Sequence, residues 1–527
     1  MDKSKILHSL FLMGLICSSL ISCSQPKDEQ KRPNILFAIM DDATYSHMGA
    51  YGCSWVKTPT FDRVANQGIL FSNAYTPNAK CAPSRASILT GRNSWQLEEA
   101  ANHWCYFPEK FKTYPEVLSE NGYHVGYTDK GWAPGVPGKI NGKDRLLVGQ
   151  AYNTRKTKPP TNAISTNDYS ANFKDFLDSK DPDKPFCFWY GSREPHRRYE
   201  YGSGIKKGNK LMSDINEVYG FWPDNDTIRT DLLDYAFEIE YFDKQLAFML
   251  DELEARGELN NTIVIVTSDN GMPFPRIKGQ EYELSNHLPL AIMWPIGIKD
   301  KGRVIDDFVS FIDFAPTILE ITGIQQEKSK MAAIEGQSFT DILFTSKEGV
   351  IDPSRDHVLI GKERHDVGRP QDQGYPIRGI VKGDYLYIQN FEPSRWPAGD
   401  PITGYLNCDG SPTKTVCLNS KIDPETFDYW KWSFDKRPMN ELYNIKKDPI
   451  CMENLAKNPE YHQLLTQLKE QLFDELKQQS DPRMMGKGDL FDKYEYADPS
   501  GLNFYERYLN GEKLNSGWVN KTDFEKY

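Results

Sequence analysis

The sequence predicts an α/β protein: a large, mostly parallel central sheet sandwiched by helices, with a smaller C-terminal subdomain of antiparallel sheet plus helix. Two observations predict the first part. Short, continuous apolar runs recur at residues 34–40, 123–127, 186–190 and 262–267, as in strands buried on both faces. Helical patterns lie between them, the clearest over 228–256, where Leu232, Ala236, Ile239, Phe242, Leu246, Met249 and Leu253 recur every three or four residues. Such alternation is the mark of a parallel sheet with helices on both faces. A third observation sets the boundary. After about residue 350 the texture changes, with strands expected at 357–360 and 377–389 and a helix over 449–479.

The elements divide the chain as follows. Residues 1–22 read as a signal peptide: Lys3 and Lys5 give a positive start, and the apolar stretch 6–20 is too short for a comfortable membrane span. Leu20-Ile21-Ser22-Cys23 resembles a bacterial lipobox, in which Cys23 is lipidated and becomes the mature N-terminus. That predicts export to the periplasm or the outer membrane, with a lipid anchor as the only membrane attachment. Residues 23–32 form a polar tether, 33–350 the main α/β domain, 351–480 the α+β subdomain and 481–527 an ordered tail wrapping the surface. The net charge of −11 argues against a nucleic-acid partner, which needs a basic footprint. It leaves room for an anionic substrate, because only the local field at a site must be positive. Nine cysteines are present; none has zinc-site spacing, and Cys408 with Cys417 is the most plausible disulfide.

Chemistry collects where the predicted strands end. The first runs into Asp41-Asp42, the next into Asp129-Lys130, another towards Arg193 and His196, and the last into Ser268-Asp269-Asn270-Gly271. In open α/β sheets, ligands bind beyond the carboxyl ends of strands. Asp41, Asp42, Asp269 and Asn270 offer hard oxygen donors suited to Ca²⁺ or Mg²⁺, although Asp-Asp also caps helices and Ser-Asp-Asn-Gly also makes a simple turn. Residues 81–92 read Cys-Ala-Pro-Ser-Arg-Ala-Ser-Ile-Leu-Thr-Gly-Arg. Pro83 suits a first helical turn and Gly91 a stop, which puts Cys81 at a helix N-terminus, where anions are favoured. Spacing alone leaves that cysteine open to a structural or a nucleophilic role.

That segment resembles the signature of the formylglycine-dependent type I sulfatases of the alkaline-phosphatase-like superfamily, Cys-x-Pro-Ser-Arg-x-x-x-Leu-Thr-Gly-Arg, at every fixed position. The resemblance covers about residues 33–460. Glu-Pro-His-Arg at 194–197, Asp-Asn-Gly-Met-Pro-Phe-Pro at 269–275 and Tyr-Pro-Ile-Arg at 375–378 look closest to heparan N-sulfatase-like members. It implies that a separate maturation enzyme oxidises Cys81 to formylglycine (3-oxoalanine), whose hydrate, held on one Ca²⁺ or Mg²⁺, attacks sulfur and is then regenerated. It implies that Asp41, Asp42, Asp269, Asn270 and the modified Cys81 bind the metal. Arg85 then steadies the formylglycine, Lys130 and Lys278 neutralise sulfate oxygens, and His196 is the general acid. The substrate implied is a sulfated polysaccharide or its oligosaccharides, algal such as ulvan or a glycosaminoglycan such as heparan sulfate. Basic residues on expected rim loops, His103, Arg197, His287, His365 and Arg378, are the candidate substrate contacts, with Arg198, Arg364 and Arg369 beside them. One departure stands out. Many sulfatases carry Gly-Lys-x-His where this chain has Asp129-Lys130-Gly131-Trp132, so Trp132 replaces a histidine that handles the formylglycine hydroxyls. A phosphoester or phosphonate hydrolase on the same scaffold and an inert glycan-binding lipoprotein are the alternatives.

Overall fold

The computed structural model describes residues 31–514 and 516–525. The expected signal peptide, Cys23 and most of the tether lie outside the described residues. No helix among those described is long and apolar enough to cross a membrane.

Eight strands build the main sheet: β1 (Asn34–Met40), β2 (Ile69–Tyr75), β3 (His124–Asp129), β4 (Gln150–Ala151), β5 (Phe186–Gly191), β6 (Thr262–Ser268), β7 (Leu290–Met293) and β8 (Arg303–Ser310). Their order is β8-β2-β7-β6-β1-β5-β3-β4. Only β7 runs against its neighbours; the other pairings are parallel. Every residue of β1, β5 and β6 is buried, so their sequences show unbroken apolar runs rather than alternation. Successive β1 side chains still point to opposite faces. Leu36, Ala38 and Met40 pack in one cluster with Ile239, Phe242 and Leu246, whereas Ile35, Phe37 and Ile39 pack in another with Ala82, Ala86 and Leu89. The first partner helix is α2 (Asp226–Ala255), capped by Asn225 accepting from the Ile228 N–H; the second is α1 (Cys81–Thr90).

Register positions the site. Met40 lies opposite Ser268, Ile39 opposite Gly191, and Gly191 opposite Asp129. The next residues, Asp41, Asp269, Ser192 and Lys130, therefore leave the sheet side by side along one edge. At the junction the Lys130 N–H donates to the Gly191 carbonyl over 2.9 Å. A Cβ on Gly191 would fall 1.7 Å from the Lys130 oxygen, so only glycine permits this approach.

The second sheet joins β9 (His357–Lys362), β10 (Ile377–Lys382), β11 (Tyr385–Asn390) and β12 (Asn440–Asn444) in sequential antiparallel order. The run expected as one strand over 377–389 is a hairpin, turned at Gly383 with φ +53°. The helix expected over 449–479 is shorter: α3 spans His462–Gln478, because Asn454 and Asn458 cap separate short turns ahead of it. Leu468, Leu472 and Leu476 face the sheet residues Leu359, Ile380 and Tyr387. The expected Cys408–Cys417 disulfide is absent; both are buried free thiols. Their loop is closed instead by Lys414, whose ammonium donates to the carbonyls of Gly404, Tyr405 and Cys408 and pairs with Asp523 of the tail at 3.0 Å.

Candidate active site

α1 starts immediately after Lys80, which is extended, and all ten of its residues are buried. Pro83 sits in the first turn, where its missing N–H costs nothing. Gly91 closes the helix in the left-handed region at φ +69°, its N–H bonding the Ser87 carbonyl. Cys81 is the first helical residue, with its side chain at the floor of a cavity of about 520 Å³, within the usual range for ligand sites.

Carboxylates from two strand ends meet there. Ligand atoms of Asp41, Cys81 and Asp269 lie within 4.8 Å of one another, as do those of Asp41, Asp42 and His196. Asn270 donates to Asp42 Oδ1 at 2.6 Å, and the Asp42 N–H donates to Asp269 Oδ1 at 3.1 Å. Cations surround them. Lys130 reaches Asp41 at 2.5 Å, Arg85 Nε reaches Asp269 at 2.7 Å, and Lys278 bridges Asp42 at 2.7 Å and Asp409 at 3.0 Å. Burial opposes charge on Asp41, but Lys130, His196, Arg85 and Lys278 outweigh it and hold the carboxyl far below its ordinary range. Asp269 goes the other way, raised to about 7 by burial and by the charge on Asp41. Burial likewise pushes the Cys81 thiol up, with Lys130 partly opposing.

Two buried oxygens here, Asp41 Oδ1 and Asn270 Oδ1, have no hydrogen-bond partner. Native proteins seldom leave such atoms unpaired. Oxygen donors crowded at this spacing are what a hard divalent cation takes up, so the residues fit such an ion, with Asp41, Asp42, Asp269, Asn270 and position 81 to hold it.

A family model for sulfatases matches residues 33–324, more than half of the chain. The chain belongs to the sulfatase family. Human N-sulphoglucosamine sulphohydrolase is 28% identical over 471 residues, covering 83% of this chain and 89% of that protein. An ulvan-active sulfatase of Formosa agariphila is 27% identical, covering 89% and 80%. The solved structure of BT4656 with its substrate D-glucosamine-2-N,6-O-disulfate aligns over 86% of this chain and 99% of its own, with a TM-score of 0.62 at 21% identity; it shares the fold. The protein is therefore a sulfuric ester hydrolase, of a family that uses formylglycine and a divalent metal.

The sulfatase's remaining predicted residues divide sharply. Lys130, His196, Arg197 and Lys278 line the cavity with Cys81. His196 Nε2 lies 3.9 Å from Asp42 while its Nδ1 bonds the Arg197 carbonyl at 2.7 Å. Arg197 is held by two bonds to Asp231 at 2.7 and 2.8 Å and packs over Phe274 and Tyr199, so it is a fixed wall. Three expected substrate contacts are placed elsewhere. Arg378 is fully buried, bound to Asp481 and Glu363 and set over Trp95. His287 is buried between Tyr45 and Tyr75 and bonded to Glu283. His365 is buried with Nε2 2.9 Å from Asn78. Inward packing takes all three off the rim: Arg378 is paired with two carboxylates, while His287 and His365 each bond through one ring nitrogen and bury the other, Nε2 of His287 and Nδ1 of His365, without a partner. Arg364 and Arg369 are also buried, donating to backbone carbonyls.

His103 is in the cavity, but against the nucleophile position. Its Nε2 lies 3.4 Å from Cys81 Sγ and its Nδ1 3.0 Å from Asp366, which also pairs with Lys80 at 2.9 Å. Burial, partly offset by Asp366, lowers the His103 pKa to about 4. Trp132, where a histidine was missing, donates its indole N–H to the Ala82 carbonyl at 3.0 Å and braces the start of α1. Sequence reasoning did not single out Asp366, Asp409, Lys80, Trp104 or Trp518; the first two follow His365 and Cys408 in the chain and carry no local motif.

Proposed function

We propose that this chain removes sulfate from a sulfated saccharide, using Cys81 converted to formylglycine and one Ca²⁺ held by Asp41, Asp42, Asp269 and Asn270. The observation that carries the proposal is the meeting of Cys81 with those carboxylates, the orphaned oxygens of Asp41 and Asn270 and two lysines in one buried pocket. The relatives named for sulphoglucosamine and ulvan support a glycan substrate. When bound, the cation and the formylglycine supply charge stabilisation and an oxygen nucleophile.

The side chains divide the remaining work. Lys130 and Lys278 offer ammonium groups to sulfate oxygens, where fixed charge lowers the barrier most in a water-poor site. Arg85 is locked by Asp269 and the carbonyls of Lys130 and Gly131, which leaves its buried Nη2 without a partner and sets a fixed positive charge beneath position 81. His196 directs Nε2 into the pocket because Nδ1 is engaged by the Arg197 carbonyl, and it delivers a proton to the leaving oxygen or nitrogen. His103 is neutral at physiological pH, with Nδ1–H on Asp366 and Nε2 facing position 81. It receives a proton there, taking over the part of the histidine replaced by Trp132.

The lipobox-like segment ending at Cys23 supports an exported, lipid-anchored protein, periplasmic or on the outer membrane. The decisive experiment is sulfate release from a panel of defined ulvan-type and heparin-type oligosaccharides, using protein produced with a formylglycine-generating maturation enzyme and checked by peptide mass at Cys81. Release from at least one member is expected. Turnover of aryl phosphate but of no sulfated substrate would overturn the reading.

A further inference from the structure

The cavity is lined by indoles as well as by charged groups, and one of the indoles comes from the far end of the chain. Trp518 lines the same pocket as Cys81, Lys278 and Asp409. It is half-buried, and its position is fixed from several sides. The indole N–H donates to the Leu406 carbonyl at 2.9 Å, and its own carbonyl accepts from the Gly410 N–H at 2.7 Å. Gly410 adjoins Asp409, the partner of Lys278. A Cβ at Gly410 would lie 3.0 Å from Val519 Cα, so the tail rests directly on that backbone. On the other side Arg198 donates to the Gly517 carbonyl at 3.0 Å. Behind the wall, the buried Lys414–Asp523 pair and a cluster of Val367, Leu406, Tyr496 and Phe504 hold the segment down. A second lining indole, Trp104, packs against that cluster.

We infer that Trp518 is a specificity-determining residue: it takes the apolar face of a pyranose ring whose sulfate lies on the lysines, and so selects a cyclic sugar as the leaving group. Charge at the floor recognises the sulfate alone, since ammonium groups do not distinguish what the sulfate is attached to. Selection must come from surface that meets the rest of the molecule. The C–H-rich face of a sugar ring is apolar and flat, and a rigid indole with its edge pinned offers matching area at small entropic cost. Direct bonding of the tail to the residues beside Asp409 fixes the distance between ring wall and sulfate site.

The inference rests on the proposed saccharide substrate, and the test keeps the two apart. Full-length matured protein is compared with Trp518→Ala and Trp518→Phe. Calorimetry measures binding of the desulfated saccharides of the ulvan-type and heparin-type panel, which require no turnover, and of inorganic sulfate. With Trp518→Ala the saccharide Kd is expected to rise roughly tenfold, the scale of one aromatic contact, while sulfate affinity stays unchanged. Trp518→Phe keeps a ring face but loses the indole N–H and is expected to stay near the wild type. The inference is overturned if no saccharide binds the wild type, if Trp518→Ala binds as the wild type does, if Trp518→Phe falls as far as alanine, or if sulfate affinity falls in parallel. Saccharide binding that depends on Trp518, without sulfate release from any member of the panel, would sink the proposed desulfation and with it the leaving-group role, and leave only the contact between Trp518 and the ring.

Discussion

At the scale of single residues, the site separates groups that react from groups that hold them. Cys81 belongs to the first kind: with alanine there, no oxygen nucleophile can be made, and sulfate release is expected to fall to background while Tm changes little. His103 and Asp366 form a graded pair. Loss of a positioned general base typically costs about 10²–10⁴ in rate, so His103→Gln is expected to lower kcat within that range. Asp366→Asn removes the charge that fixes the imidazole tautomer, since an amide can present either its oxygen or its NH2 to Nδ1, and should lower kcat less, with KM nearly constant in both. A fall in KM-based affinity with unchanged kcat would return His103 to the substrate-contact role expected from the sequence. How much of the site was legible follows the same division. Asp41, Asp42, Cys81, Asp269 and Asn270 were readable because they sit in contiguous blocks at strand ends and a helix start. The place of His103 was not, since it depends on Asp366, 263 positions away. Arg378 was misplaced for a related reason: its partners Asp481 and Glu363 are distant in sequence, and nothing local marks an arginine as already satisfied.

At the scale of elements, strand identity was legible from unbroken apolar runs, and ends were not. β3 extends to Asp129 rather than stopping at 127 because its last residues pair with Tyr190 and Gly191, a long-range contact with no sequence signal. The short α1 depends on its stop. Gly91 is left-handed, and a Cβ there would meet Ile334 at 2.8 Å and Ala315 at 3.2 Å. Gly91→Ala is expected to cost about 1–3 kcal/mol of stability, measured by urea unfolding, and to lower activity by loosening the helix that presents Cys81. The second sheet is tied to α3 by His357, whose Nε2 lies 2.9 Å from Glu475 and Nδ1 2.6 Å from Asp356. Burial alone would lower its pKa, but hydrogen bonds and charge from both carboxylates outweigh this and raise it. A raised histidine pKa contributes stability that is complete below the unfolded value near 6.5 and disappears as pH rises through the folded value. The stability difference between wild type and His357→Gln, measured by urea unfolding, should therefore be largest near pH 6 and shrink on the alkaline side, amounting to about 1 kcal/mol or less for a partly exposed pair. A difference that grows with pH would contradict this assignment.

At the scale of the whole molecule, the centre is a junction of segments that span most of the chain: Asp41 and Asp42, the start of α1, Lys130, His196, residues 269–278, Asp366, Asp409 and finally the tail. The carboxylates of this junction meet Lys130, Arg85 and Lys278, yet Asp41 keeps one carboxylate oxygen, Oδ1, and the neutral Asn270 its amide oxygen without a hydrogen-bond partner. Closely packed carboxylates repel, and that repulsion acts on every segment that carries them. A bound divalent cation relieves it and ties β1 to β6 at the same time. Anything that binds the native state alone stabilises it, by about 2.7 kcal/mol when the free ligand stands at one hundred times its Kd. Chelation with EDTA is thus expected to lower the Tm of the full chain, and added Ca²⁺ to restore it in a concentration-dependent way. Asp41→Asn separates this from a general ionic effect. That change leaves a hydrogen-bonding side chain but weakens the cation site, so its Tm should become nearly insensitive to EDTA. If EDTA leaves the wild-type Tm unchanged, or if Asp41→Asn responds as the wild type does, then the junction is held by Lys130, Lys278 and Arg85 alone and no cation contributes to its stability.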